Sequence, residues 1–166
     1  MTGRVLVAGI GNLFLGDDGF GPEVVRRLAA GGSPPRCVRV TDYGIRGMHL
    51  AYDLLDGWDS LVLVDALPAT SGPPGRVIVM EIGPGDLEPG EFDAHGMQPV
   101  AVLGSLTAMG GKLPPTYIVG CPVESTREGI GLSPAMSAAV PAAIDIVLDL
   151  LDRLPLTEPL PERGRP

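Results

Sequence analysis

Cysteine is scarce in this chain: Cys37 and Cys121 are the only two, they lie far apart, and no C-x-x-C pair suggests zinc or redox chemistry. Both are expected to be reduced and largely buried thiols. Aromatic residues are equally few, with three Phe, three Tyr and one Trp, so stacking on nucleobases is not a theme. Basic residues number 12 against 20 acidic ones, for a formal net charge of −8, and no Lys/Arg cluster interrupts the balance. A phosphate backbone would be repelled by such a surface, which removes nucleic acid as an expected partner. No uninterrupted apolar run reaches the roughly 20 residues of a membrane helix. The first apolar run, from Val5, is too short for a signal-peptide core and lacks a small-residue cleavage site. A cytoplasmic protein with no membrane contact is expected.

Several catalytic signatures are missing as well. There is no G-x-S-x-G elbow and no H-E-x-x-H helix. The glycine-rich turn near the N-terminus runs G-x-G-x4-G, not G-x-G-x-x-G, and no Walker lysine follows it. Asp17 and Asp18 stand in that turn, where a pyrophosphate would need N–H groups and positive potential. Nucleotide binding is therefore disfavoured.

What is present reads as one α/β domain. Apolar residues make up 45% of the 166 and charged residues 19%, a globular composition. Strand-like runs occur at 4–9 (RVLVAG), 36–41, 60–66 (SLVLVDA), 76–82 (RVIVMEI) and 116–120. The run at 60–66 is apolar on both faces and is expected in the centre of the sheet. Helices are expected from Pro22 to the stop at Gly31-Gly32, at 48–55 with Leu50, Leu54 and Leu55 inward, and from Pro99 to about Met109. A C-terminal helix carries Met136, Val140, Ile144, Val147, Leu151 and Leu154 at intervals of three or four, with Pro141 either kinking it or restarting it. Strands alternating with helices imply three layers, α/β/α, around a mostly parallel sheet of about five strands. No helix separates the strands at 60 and 76, so one antiparallel pairing is expected there. The domain spans 1–155, and a Pro-rich tail occupies 156–166.

In open α/β sheets, functional groups gather just past the carboxyl ends of the strands. Three segments bring ionisable residues there: the turn holding Asp17 and Asp18, Asp65 at the end of the central strand, and His95 in the long polar loop at 83–97. One of the paired aspartates is expected to cap the following helix. Asp65 follows Leu61-Val62-Leu63-Val64, where a carboxylate without a partner would be costly; function and a hydrogen-bonded turn are both open for it. His49, within a helix, is expected at the surface. Two carboxylates and one imidazole with open positions suit a divalent transition metal, although without a close pair of histidines a tightly held zinc is not indicated.

These residues sit in blocks that resemble the hydrogenase maturation endopeptidases. GIGNLFLGDDGFG at 9–21 is similar to the family's opening G-x-G-N-x-L-x-x-D-[DE]-x-x-G. Asp42-Tyr43-Gly44-Ile45-Arg46-Gly47, LVLVDA at 61–66, His95-Gly96-Met97-Gln98-Pro99 with Leu103, VGCPVE at 119–124 and GIGLS at 129–133 follow in the family's order. The resemblance implies a twisted mixed sheet and a single site formed by Asp18, Asp65 and His95, serving as both the catalytic and the nickel-engaging residues. It implies an aspartic-type endopeptidase that removes the C-terminal extension of a nickel-iron hydrogenase large-subunit precursor after nickel insertion. Nickel would arrive with the substrate, held by cysteine thiolates, and no resident metal or other cofactor is expected. Asp18, beside Asp17, would orient the attacking water. A monomer is the expected state. The alternatives are a nickel-sensing checkpoint that binds the same precursor without cutting, and a small-molecule hydrolase on a similar sheet.

Overall fold

A computed structural model describes residues 3–32, 34–35, 37–82 and 104–154. His95, its loop and the Pro-rich tail lie outside the described residues, as does the start of the helix expected from Pro99. Five strands form one sheet: β1 (Val5–Ile10), β2 (Val38–Gly44), β3 (Ser60–Leu67), β4 (Ile78–Ile82) and β5 (Thr116–Pro122), in the order β2-β1-β3-β5-β4. The helices are α1 (Phe20–Ala30), α2 (Gly47–Leu54) and α3 (Pro134–Arg153), with a further helical turn at 104–108.

Strand periodicity divides the core into two layers. Val5, Val7, Val62, Val64 and Val119 face α1 and α3, packing on Phe20, Val24, Val25, Met136, Val140 and Val147. Leu6, Ala8, Leu61, Leu63 and Ile118 face the other way, onto Leu50 and Leu54 of α2 and Leu106. Each fully buried Val or Leu contributes about 1.5–3 kcal/mol of transfer free energy. The three expected layers are present, and β3 is central, buried from Ser60 to Asp65.

Three expectations change. The antiparallel pairing exists, but β4 makes it with β5. β5 runs parallel to β3 from Leu61↔Thr116 to Leu67↔Pro122 and so occupies that edge of β3. Leu55 is 43% exposed, because α2 ends at Leu54 and the inward positions pass to Leu50, Ala51 and Leu54. Finally, α3 is one helix through Pro141. At 20 residues and mean hydropathy 1.6 it is long and apolar enough by composition to cross a membrane, although charged residues interrupt its apolar run. Its stripe Met136, Val140, Val147, Leu151 instead covers one face of the sheet.

Candidate functional site

Parallel β1, β2 and β3 deliver their carboxyl ends to one edge of the sheet. The chain leaves β1 at Ile10 and turns at Gly11, whose φ of +145° and closeness to the Asp18 carbonyl oxygen leave no space for a Cβ. A single 3-10 turn, Gly16–Gly19, then enters α1 directly. At Gly21 a Cβ would strike the carbonyl oxygens of Val64 and Ile10. These two glycines hold the acidic turn against the ends of β1 and β3.

Neighbouring aspartates in that turn have separate tasks. Asp17 is 1% exposed and accepts four hydrogen bonds from the segment after β5. The donors are Glu124 N (2.9 Å), Ser125 N (3.0 Å), Ser133 N (2.7 Å) and Ser133 Oγ (2.9 Å). Burial alone would push the Asp17 carboxyl up, but the donors from Ser133, Ser125 and Glu124 outweigh it and hold the group below its ordinary range. Asp18 is half-buried and turns the other way; its Oδ2 accepts from Asn12 N at 2.8 Å. Neither side chain caps the 3-10 turn or α1, which corrects the expected capping role. Asp17 is also too fully engaged with residues 124–133 to assist Asp18 with a water.

Asp65 lies near the carboxyl end of β3, paired with Gly120 of β5, on the face that carries Leu61 and Leu63. It is 7% exposed. Burial first, and then the negative charge of Asp18, raise its carboxyl well above the ordinary value of 3.8, while a hydrogen bond from the Ala66 backbone opposes the shift. The structure thus sets the Asp18 charge close enough to act on the buried Asp65 carboxyl, and a carboxyl perturbed by burial and a specific neighbour is the kind of group that marks functional sites. Among the described residues no group of three His, Cys, Asp or Glu is placed to hold a metal, and His95, the third expected member, is outside them.

Cys121 and His49 stand outside the site, as the sequence implies. Cys121 is buried, and burial together with Asp17 pushes its thiol up to about 11 despite a hydrogen bond from Gly75, the reverse of a cysteine nucleophile. His49 is exposed on α2, as expected.

The loops around the carboxylates present large apolar side chains to solvent. Leu13 and Phe14 precede the acidic turn, Ile45 and Met48 follow β2, and Ile130 follows β5; Phe14, Ile45 and Ile130 are 67%, 79% and 80% exposed. A bridge between Leu15 and Gly129, with Gly129 N donating to Phe14 O at 2.9 Å, ties two of these loops together. The sequence reading missed this rim, because single apolar residues in turns carry no periodic signal.

Residues 22–150 match the family model of hydrogenase maturation proteases. The hydrogenase 2 maturation protease of Escherichia coli is 31% identical over 150 residues, covering 89% of this chain and 90% of that protein. The solved structure of the hydrogenase maturating endopeptidase HybD from E. coli superposes with a TM-score of 0.76 at 29% identity, covering 90% of this chain and 92% of the other. A hydrogenase 2 maturation peptidase from a Thaumarchaeota archaeon gives a TM-score of 0.69 at 33% identity, covering 90% and 98%. With the acidic turn, the central-strand aspartate and the mixed five-stranded sheet in place, this chain belongs to the hydrogenase maturation protease family.

Proposed function

We propose that the chain cuts the C-terminal extension from a nickel-iron hydrogenase large-subunit precursor once nickel has been inserted. Asp18 and Asp65, joined by the imidazole of His95, would engage the nickel that the precursor carries. The observation behind this reading is the coupling of Asp18 and Asp65 at the carboxyl edge of the sheet. A buried carboxylate beside a second, half-buried one is unfavourable alone and becomes favourable when a cation arrives to be shared by the two. Recognition would thus favour metal-loaded precursor over empty precursor, with nickel acting as part of the substrate. Two carboxylates and an imidazole are a suitable donor set for such a metal.

Hydrolysis needs a water that loses a proton and a carbonyl that is polarised. The cysteine is buried with its thiol pushed up, so carboxylate-assisted attack by water, an aspartic-type cleavage, is the chemistry the site supports. The exposed rim of Leu13, Phe14, Ile45, Met48 and Ile130 suits a macromolecular partner better than a small molecule.

The test is to incubate wild-type, Asp18→Asn and His95→Ala chains with nickel-loaded precursor and weigh the precursor's C-terminus by mass spectrometry. Trimming by the wild type alone supports the assignment. Undiminished trimming by either variant removes that residue from the site, and binding without trimming by the wild type points to a checkpoint rather than a protease.

A further inference from the structure

No Lys/Arg cluster is visible along the chain, yet the fold assembles one. Between edge strand β2 and helix α2 lies a solvent-open cavity of about 520 Å³, lined in part by Arg39, Arg46, His49 and Tyr52 together with Asp42 and Asp53. On a chain of net charge −8, two guanidinium groups meet two carboxylates at this one concavity, which leaves its lining formally neutral with an imidazole beside it.

The acids in the cavity are already engaged. Asp53 Oδ2 accepts the Tyr43 hydroxyl at 2.6 Å and faces Arg39 at 3.7 Å. Asp42 Oδ1 accepts Gly44 N at 2.8 Å. By contrast, Arg46 and His49 have no side-chain partner among the described residues. Arg46 directly precedes α2 and is fixed at its backbone by the bond from its N–H to Tyr43 O at 2.8 Å. A guanidinium held at the rim of a cavity, with its fork unpaired among the described residues, is suited to a carboxylate.

The cavity also opens near the carboxyl end of β2, at the same edge of the sheet as the end of β3 that carries Asp65. Gly9 of β1 pairs with Asp42 on one side and with Val64 on the other, so a single strand separates β2 from β3. Two strand spacings of about 4.8 Å make roughly 10 Å, which an extended polypeptide crosses in about three residues at 3.3 Å each. We propose that Arg46, with His49, binds a carboxylate of the polypeptide substrate, on a part of that polypeptide adjacent to the segment lying over Asp18 and Asp65. This rests on the reading that the substrate is a hydrogenase precursor. It adds a specificity site separate from the cutting machinery, one that selects an acidic side chain or the terminal carboxylate of the extension.

The experiment measures binding of nickel-loaded precursor to immobilised full-length wild-type, Arg46→Glu and Arg46→Lys chains, alongside trimming. Arg46 is exposed and next to a helix N-terminus, where glutamate is tolerated, and unchanged thermal unfolding confirms that each variant is folded. Arg46→Glu is expected to weaken binding about tenfold or more while Arg46→Lys stays within roughly threefold, and the loss should shrink as salt is added. Two further precursors separate the sources: one with its extension's Asp and Glu changed to Asn and Gln, the other with an amidated C-terminus. The one that loses affinity for the wild type, and is indifferent to Arg46→Glu, carries the recognised carboxylate. Binding of native precursor by Arg46→Glu within about twofold of wild type overturns the site, whether or not trimming occurs. So does full affinity of both neutralised precursors. If the wild type binds through Arg46 but does not cut, the site stands and the protease reading falls; if the wild type does not bind the precursor, both fall.

Discussion

Asp17 and Ser133, 116 residues apart, are joined twice: Ser133 N donates to Asp17 Oδ1 at 2.7 Å and Ser133 Oγ donates to Asp17 Oδ2 at 2.9 Å. Ser133 immediately precedes α3, so this contact pins the start of the C-terminal helix to the turn that carries Asp18. Replacing Asp17 with Ala would leave three backbone N–H groups without their acceptor. Each hydrogen bond to a charged group contributes about 1.5–3 kcal/mol, so a loss of about 3 kcal/mol or more is expected by urea unfolding. The Asp17 carboxyl is held below its ordinary value of 3.8, and such a group adds stability that is complete above that value and disappears as pH falls through its folded pKa. The gap between wild type and Asp17→Ala should therefore narrow in acid below about pH 4. A gap that stays constant from neutral pH into strong acid would count against a charged Asp17.

For Asp65 the sign is opposite. Its carboxyl is raised above 3.8 by burial and by Asp18, so the folded chain holds that proton more tightly than the unfolded chain. The protonated group's contribution is fully present below 3.8 and is lost as pH rises through the folded pKa. Asp65→Asn removes that loss and should raise the melting temperature at neutral or mildly alkaline pH by roughly 2–4 °C for each 1 kcal/mol recovered. The same variant should cut precursor trimming by about 100-fold or more. Asp18→Asn removes the neighbouring charge, so the Asp65 carboxyl should titrate at lower pH by carbon-13 NMR of the metal-free chain. Should the resonance titrate unchanged, the two groups do not interact.

Much of this arrangement was legible in the sequence, and the misses have physical causes. The central position of β3 follows from an apolar run with no polar face, and the two-layer core follows from the stripes of α1 and α3. The roles of Asp17 and Asp18 could not be told apart, because a 3-10 turn sends adjacent side chains in different directions and the partners of Asp17 lie more than 100 residues away. The sequence pattern ends β2 at Thr41, where its apolar residues stop, yet the strand runs on to Gly44. The strand packs Val38 and Val40 into one core layer and Tyr43 into the other, and it continues to Gly44 through a register shift opposite Gly9 and Ile10. The basic cavity was hidden for a related reason: Arg39 belongs to a strand, while Arg46 precedes a helix and His49 lies on it, and only the packing of α2 against β2 gathers them.

Phe14 and Ile130 stand on loops tied by the Leu15–Gly129 bridge, both well exposed. Apolar groups of this size at a protein interface each contribute about 1–2 kcal/mol once water is excluded. Phe14→Ser and Ile130→Ser should each raise KM for the nickel-loaded precursor by about 5- to 30-fold, with kcat nearly unchanged, because they touch partner surface and not the reacting atoms. Melting temperatures should hold or rise slightly. A fall in kcat with an unaltered KM would assign these side chains to the chemistry instead of to docking.

Gly21 tests whether backbone proximity itself is what keeps the site together. An added methyl there meets the carbonyl oxygens of Val64 and Ile10, and neither can yield without moving a strand of the sheet. Gly21→Ala should therefore cost about 1–3 kcal/mol from overpacking and push the first turn of α1 away from β3. Asp18 stands in the 3-10 turn that leads directly into α1 and Asp65 lies in β3, so activity should fall further than stability does, and the Asp65 carboxyl should titrate nearer its ordinary range as Asp18 recedes. Gly104→Ala is the control: it is helical, and a Cβ there meets nothing within 4 Å. It should gain about 0.5–1 kcal/mol by restricting the unfolded chain, with trimming unaffected. Equal behaviour of the two variants would mean that the close approach of α1 to the sheet does not set the distance between the two carboxylates.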